Sequence, residues 1–313
     1  MSFYVRKIGS LLVTLFLISF ITFLVFQILP GDPASIILGI DADPLQLEAM
    51  REELGLNEPF LVQYGTWLKN ALTLDFGTSI RFHMPVSELI LSRIPITISL
   101  SILTLVMTLG IALPLSLLII RKKGVMGQVI SNLSQISIAI PSFWMGIMLI
   151  LLFSVTLSVF PSGGYIPLKE NPLEWLKTLF LPSLSIALGS AALLIRYLKT
   201  SMLDEMHKLY VQVARSKGLS EKKIINKHIL KNALIPTLTI LGMLIVDILG
   251  GSIITENVFN LPGLGNLIVT AITSRDLPLI QGLVLYLGSI VVTFNFIVDL
   301  LYSIVDPRIK IGR

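Results

Sequence analysis

Six long stretches of apolar residues constrain this chain more than any other feature of its sequence. An α-helix needs about 20 apolar residues to cross the ~30 Å hydrocarbon core of a bilayer. The stretches that approach or exceed this length are Ile8–Leu29, Ile96–Ile120, Val129–Phe160, Thr178–Ile195, Ala233–Thr255 and Leu277–Val305. Only 14% of the residues are charged, against about 25% in soluble domains. The sequence therefore predicts an all-α polytopic membrane protein with six transmembrane helices.

The first stretch is expected to be a retained helix rather than a cleaved signal peptide. It is longer than the apolar core of about 7–15 residues that a signal peptide carries. It is followed by Pro30-Gly31-Asp32-Pro33, which is not a signal-peptide cleavage site. We divide the chain into the N-terminus and first helix (1–29), an extracytoplasmic segment (30–95), and a transmembrane core (96–313) that contains the loop 196–236.

The distribution of Lys and Arg predicts the orientation. The chain has 24 of these residues and a net charge of +5, and basic residues mark the cytoplasmic side of a membrane protein. Placing the N-terminus inside puts most of them on the cytoplasmic side, with nine of them between Arg196 and Lys231. Both termini and the loop 196–236 are thus predicted to be cytoplasmic. With the charge explained by topology, nucleic acid is not expected as a partner.

Two other segments carry local signals. Segment 30–95 has helical patterning around Pro44–Gly55 and several aromatic residues, which predicts a small ordered cap outside the membrane. Pro262-Gly263-Leu264-Gly265 is a strong turn signal before a short apolar stretch. That stretch is expected to form a re-entrant or interfacial helix.

Residues 196–236, which we name the elbow, are predicted to form two short amphipathic helices joined at Gly218. In the first helix, helical spacing predicts one apolar face formed by Met202, Met206, Leu209 and Val213. Gly218 is expected to end this helix, Ser220 to cap the next, and Glu221 to favour its first turn. The second helix continues through Ile225, Ile229 and Ala233 to Pro236. An amphipathic elbow at a membrane surface indicates a docking site for another protein.

The sequence offers no convincing catalytic site. It contains no cysteine and only three histidines, none spaced for metal binding. It also lacks the Gly-x-x-x-x-Gly-Lys-Ser/Thr loop that binds nucleotide phosphates. We therefore expect no cofactor, no metal site and no enzymatic activity.

Two carboxylates lie within predicted spans, where a charge is costly and commonly functional. Asp299 lies near the end of the sixth span and is read as an interfacial or paired residue. Asp247 lies deeper and is followed by Gly250 and Gly251. It either lines a translocation path for a cationic cargo or hydrogen-bonds a neighbouring helix.

The elbow resembles a known loop. It reads Gln212-Val213-Ala214-Arg215-Ser216-Lys217-Gly218-Leu219 and ends in Asn232-Ala233-Leu234-Ile235-Pro236. This pattern is similar to the cytoplasmic "EAA" loop of permease subunits in bacterial ABC importers of the peptide/nickel branch, although Gln212-Val213 departs from Glu-Ala.

Other motifs of that branch follow in order along the chain. The matching segments are Pro30–Pro33, Leu54–Pro59, Leu74–Ser79, Glu256–Gly265, Arg275–Pro278 and Asp306–Arg308. The resemblance therefore extends over nearly the whole chain.

The resemblance implies a MetI-like ABC permease fold in the bacterial cytoplasmic membrane. It implies a heterodimer with a second, homologous permease, two cytoplasmic ATPase subunits, and an extracytoplasmic substrate-binding protein. The residues through which it implies coupling to the ATPase are Val213, Ala214, Arg215, Ser216, Lys217, Gly218 and Leu219. The cargo it implies is a dipeptide, an oligopeptide, nickel or a metal chelate. An intramembrane enzyme and an ATP-independent secondary transporter are the alternatives.

Overall fold

The computed structural model describes residues 2–28, 33–39, 42–122 and 124–305, and the described chain is almost entirely helical. The helices are α1 Ser2–Ile28, α2 Pro33–Leu38, α3 Pro44–Glu53, α4 Phe60–Leu72, α5 Val86–Arg121, α6 Val125–Ala139, α7 Ser142–Leu149, α8 Pro172–Met206, α9 Leu209–Ser216, α10 Glu221–Lys223, α11 Leu230–Val258, α12 Leu264–Thr273 and α13 Leu277–Val305. Two π-helical segments, Ile150–Thr156 and Ile224–Ile229, continue α7 and α10.

Within the described residues, five helices are long and apolar enough to cross a membrane. They match five of the six predicted spans, and the described residues of each of these spans form a single helix. The third, Val129–Phe160, is a broken span, because the chain bends by 106° between α6 and α7. Proline disfavours the helical conformation in the residue before it, and Ile140 before Pro141 is extended, with ψ of 122°.

The chain forms two compact units that do not follow its order. One comprises residues 1–94 and 267–296, and the other comprises residues 95–266 and 297–313. The predicted boundaries at residues 29 and 95 refer to membrane compartments, and they stay a prediction. The predicted motifs at 30–32 and 306–308, and the C-terminal basic residues, lie outside the described residues.

In the first unit, the buried carboxylate of Asp276 joins two distant segments. Its Oδ2 accepts hydrogen bonds from Ser79 Oγ at 2.5 Å and from the Arg81 backbone N at 3.1 Å. Its Oδ1 accepts one from the Leu279 backbone N at 3.3 Å, at the start of α13. This arrangement places two of the predicted motifs, Leu74–Ser79 and Arg275–Pro278, next to each other.

The second unit is built around α8, the most buried of the candidate spans. Small side chains let other helices approach closely in a membrane, and Ser183, Ala187 and Ala191 of α8 are buried. One core cluster combines α5, α7, α8 and α11, and its buried members are Ile96, Leu100, Leu149, Leu179, Leu181, Ile186, Ile248, Phe259 and Leu261. A separate cluster includes Leu198 and Met202 of α8 together with residues of the elbow, where the candidate site lies.

Candidate functional site

Residues 196–206 of the elbow form the last turns of α8, which ends at Met206. His207 and Lys208 interrupt the helix, and Lys208 is extended, with φ of −73° and ψ of 149°. The new helix α9 runs from Leu209 to Ser216 and is followed by a turn around Gly218. The second arm consists of α10 and its π-helical continuation, and it leads directly into α11.

A buried carboxylate fixes the break between α8 and α9. Glu205 lies in the last turn of α8, and its Oε1 is 2.5 Å from Lys208 Nζ. Its Oε2 accepts a 2.6 Å hydrogen bond from the Tyr210 hydroxyl. Burial raises the pKa of Tyr210, and its bond to Glu205 raises that pKa further. The phenol therefore stays protonated and continues to donate at neutral pH.

Beneath α9 lies a hydrophobic cluster, which we name the elbow cluster. Its buried members are Ile120, Leu198, Met202, Val211, Ala214, Ile224, Ile225, Ile229 and Ala233. It joins both arms of the elbow to the ends of α5, α8 and α11. Ile225, Ile229 and Ala233, which were predicted to follow one another at helical spacing on the second arm, are all buried in this cluster.

The predicted apolar face of the first arm is wrong in its second half. Met202 is buried, but Leu209 and Val213 are 74% and 45% exposed. The break at Lys208 restarts the helix in a new orientation, so Val211 and Ala214 face the cluster instead. Gln212 and Ser216 are also exposed. With Leu209 and Val213 they form what we name the α9 face, an outward surface with two apolar residues.

The turn between the arms depends on backbone conformation. Gly218 has φ of +75°, a region that L side chains rarely adopt. Its N–H donates to the Arg215 carbonyl at 2.9 Å, as in a helix C-cap. Arg215 Nε lies 2.6 Å from Glu221 Oε1 and bridges the turn. Ser220 occupies the predicted N-cap position, but its side chain makes no capping hydrogen bond.

The predicted coupling residues divide into two groups. Val213, Arg215, Ser216, Lys217 and Gly218 are exposed. Ala214 is buried, and Leu219 packs against the elbow cluster. Any direct contact with a partner therefore comes from the first group, while the second supports the elbow from within.

The predicted path residues lie elsewhere, on α11. Asp247 and Gly250 are exposed on one face of that helix with Met243 and Ile254, at the spacing i, i+4, i+7 and i+11. Gly251 is half-buried and lies off this face. Among the described residues Asp247 has no hydrogen-bond partner, and its two alternatives, a path residue and a bond to a neighbouring helix, stay predictions. Asp299 is half-buried and has an interaction partner.

Sequence reasoning missed Glu256, which is fully buried at the end of α11. Its Oε1 accepts a 2.7 Å hydrogen bond from Thr97 Oγ1, and its Oε2 accepts from the backbone N–H groups of Gly265 at 2.6 Å and Asn266 at 3.3 Å. These N–H groups belong to the first turn of α12, where a carboxylate is favoured. The signal available in the sequence was a glutamate that comes shortly before a Pro-Gly turn and the start of a new helix.

In the described part of the chain, no group of three or more His, Asp or Glu residues is arranged to hold a metal ion. His207 is exposed and His228 is half-buried, both on the elbow. The elbow thus has one side buried in the elbow cluster and one exposed face.

Comparison with known proteins identifies the family. Residues 107–311 match the binding-protein-dependent transport system inner membrane component, and residues 1–101 match the N-terminal membrane component of such systems. The chain belongs to this permease family. The permease is thus a non-catalytic, multi-pass subunit of an ABC importer, which works with ATPase and substrate-binding partners.

Individual relatives cover almost the whole permease. A putative peptide transport system permease protein of Brucella abortus is 41% identical over 307 residues, covering 97% of this chain and 98% of the relative. The oligopeptide transport system permease protein AppB of Bacillus subtilis is 39% identical and covers 94% of each chain. The dipeptide transport system permease protein DppB of Alkalihalophilus pseudofirmus is 33% identical and covers 99% of each chain.

A solved structure supports the fold. A chain of the MetNI methionine ABC transporter, in an inward-facing conformation, matches with a TM-score of 0.58 at 17% identity. The match covers 70% of the permease and 96% of that chain. The predicted MetI-like fold is confirmed.

Proposed function

We propose that this permease imports peptides, together with a second, homologous permease, two cytoplasmic ATPase subunits and an extracytoplasmic binding protein. The names of its relatives support a peptide rather than nickel as cargo. In this proposal the protein lies in the bacterial cytoplasmic membrane with both termini inside. The excess of Lys and Arg on the elbow supports that orientation.

The observation that carries the proposal is the α9 face. Leu209 and Val213 are exposed on a helix whose opposite side is held in the elbow cluster. An exposed amphipathic helix typically binds by laying its apolar residues into a groove on a partner. We propose that this groove is on the ATPase, and that ATP-driven movement of the ATPases shifts the elbow and switches the permease between inward-facing and outward-facing states.

The α9 face predicts which substitutions uncouple transport. Leu209→Asp and Val213→Asp place a charge in the proposed apolar contact, where an unpaired buried charge is costly. We expect peptide uptake to fall by at least about tenfold, equivalent to a loss of about 1.4 kcal/mol of coupling, and the co-purified ATPase to decrease. Both are measured in vesicles containing the complete transporter.

Leu203→Asp is the matched control, since Leu203 is 41% exposed on α8 but lies outside the α9 face. Uptake and ATPase recovery should stay near the unsubstituted values in this variant. Unchanged uptake in both α9 variants would contradict the proposed contact.

Asp247 is the residue we propose for the cargo path. Its exposed carboxylate on a membrane helix suits the positively charged amino terminus of a peptide. Gly250 leaves open space one helical turn away. Asp247→Asn is expected to lower peptide uptake severalfold while leaving assembly with the ATPases unchanged, as judged by co-purification. Full uptake in this variant would remove Asp247 from the path.

A further inference from the structure

Helix α4 crosses α1 through a cluster of aromatic rings. The centroid of the Phe23 ring lies 5.4 Å from that of Phe60 and 5.5 Å from those of Tyr64 and Trp67. The Tyr64 ring also reaches Phe16, at 6.3 Å. Phe23 of α1 therefore contacts rings on two turns of α4, and Tyr64 of α4 contacts rings on two turns of α1. This pattern is expected for helices that cross rather than run side by side.

The crossing lies well inside the apolar part of α1. Phe23 precedes the last residue of α1, Ile28, by about 7 Å along the helix, and Ser19 precedes it by about 13 Å, at 1.5 Å per residue. The Ser19 hydroxyl is 2.9 Å from the Tyr64 hydroxyl. Because α1 carries no charge from Ile8 onward, α4 touches a section of the helix that lies in hydrocarbon.

Three stripes run along α4 at helical spacing. The stripe that faces α1 consists of Phe60, Tyr64, Trp67 and Ala71. An apolar stripe, which we name the leucine stripe, consists of Leu61, Leu68 and Leu72. An exposed polar stripe consists of Thr66, Lys69 and Asn70. Leu61 and Leu72 are 74% and 78% exposed, so nothing in the described chain covers the ends of the leucine stripe.

Contacts with α1 show which way each stripe points. Gln63 borders the polar stripe, and its Oε1 accepts a 3.4 Å hydrogen bond from Nε2 of Gln27, next to the end of α1. Tyr64 borders the leucine stripe and reaches towards Ser19, deeper along α1. The polar stripe therefore points to the Ile28 end of α1, and the leucine stripe points towards the middle of the bilayer.

We infer that α4 is an in-plane helix of the lipid–water interface, and that its leucine stripe contacts lipid acyl chains. Such helices bury their apolar face about 5–10 Å into the boundary between headgroups and acyl chains, close to the depth of Phe23. Tyrosine and tryptophan are favoured at this level, and Lys69 reaches water with its ammonium group. If the proposed orientation holds, the leaflet is the outer one, and segment 30–95 is anchored in the membrane rather than lying wholly outside it.

The absence of cysteine from the chain makes the inference directly measurable. Nitroxide labels are attached to Leu61→Cys and Leu72→Cys in the complete transporter, reconstituted in phosphatidylethanolamine and phosphatidylglycerol vesicles. Collision rates with oxygen, which concentrates in lipid, and with a neutral nickel chelate, which stays in water, are measured by electron paramagnetic resonance. The complex with the unsubstituted chain supplies the background.

Two positions serve as matched controls. Leu45 is a leucine on α3 that is 80% exposed, among charged neighbours. Thr66 lies on the polar stripe of α4 itself. Labels at Leu45→Cys and Thr66→Cys should collide more with the nickel chelate than with oxygen.

Labels at positions 61 and 72 should show the opposite preference, with oxygen dominating. Dominant collision with the nickel chelate at both positions would overturn the inference and indicate a surface open to water or to a soluble binding protein. Low collision with both reagents would also overturn it, because it would show that another protein subunit covers the leucine stripe. Neither outcome would affect the proposed contact between the α9 face and the ATPase.

Discussion

Glu256 shows how one buried carboxylate connects three helices. It belongs to α11, and it accepts hydrogen bonds from Thr97 of α5 and from the first turn of α12. Glycine is required beside it: a Cβ on Gly263 would overlap the Glu256 carboxylate, and one on Gly265 would overlap Ile253 Cα. The Pro-Gly-Leu-Gly segment is therefore explained by close packing around the carboxylate as much as by its turn.

The Glu256→Gln substitution should destabilise this junction. A glutamine keeps one acceptor oxygen, but an NH2 group replaces the other. This NH2 group is a hydrogen-bond donor, and it faces a partner that also donates. Leaving a buried donor unsatisfied costs about 1–3 kcal/mol. We expect a lower thermal unfolding midpoint for the purified variant in detergent. Glu170→Gln, at an exposed glutamate, should leave the midpoint unchanged, and equal midpoints for the two variants would contradict this role.

Single residues also mark the limit of sequence reasoning. The carboxylates within apolar stretches, Asp247 and Asp299, were visible as charges in a membrane. Glu205, Glu256 and Asp276 were not recognised as buried, because each lies in or next to a helix terminus, where sequence alone suggests exposure. Glu256 and Asp276 accept hydrogen bonds from donors that are distant in the chain, Thr97 and Ser79. Glu205 instead pairs with its neighbours Lys208 and Tyr210.

At the scale of elements, the elbow combines a predictable turn with an unpredicted break. Helical spacing and Gly218 were sufficient to predict two arms and their junction. The break at His207–Lys208 was missed, since neither residue is a strong helix breaker and Glu205 holds the break through side-chain contacts. This break separates Val213 from the face that it was predicted to share with Met202 and Met206, and places it on the α9 face.

Gly218 offers a test of the elbow turn that does not disturb packing. No atom lies within 4 Å of a Cβ placed there, so Gly218→Ala adds only the cost of the left-handed conformation, about 1–2 kcal/mol. We expect reduced uptake and faster limited proteolysis of the elbow in this variant. Gly218→Asn should retain more uptake, because asparagine tolerates this conformation better. Equal uptake in the two variants would show that the backbone conformation does not matter for transport.

At the scale of the whole molecule, the pattern of spans was largely predictable and the bent one was not. Length and apolarity identify five spans as single helices. Length and apolarity also predicted one long third span, because neither shows where the chain changes direction. Pro141 indicated an interruption in this span. A proline alone does not show whether the helix only kinks or whether the chain changes direction sharply.

The proposed orientation predicts opposite accessibility for two introduced thiols. Leu45→Cys lies in segment 30–95, and Lys222→Cys lies on the exposed second arm of the elbow. In intact cells a membrane-impermeant maleimide should label Leu45→Cys and not Lys222→Cys. Inside-out vesicles should give the reverse. Labelling of both positions from the same side would contradict the orientation and the predicted six-span topology together.

The elbow cluster has a mechanical consequence. Because Val211 and Ala214 share one close-packed core with Ile120, Met202 and Ala233, the elbow has little compliance of its own. Packed interiors have low compressibility and transmit strain. A load applied to the α9 face is therefore delivered to the ends of α5, α8 and α11 at once, as torque on a rigid body rather than as deformation of a loop.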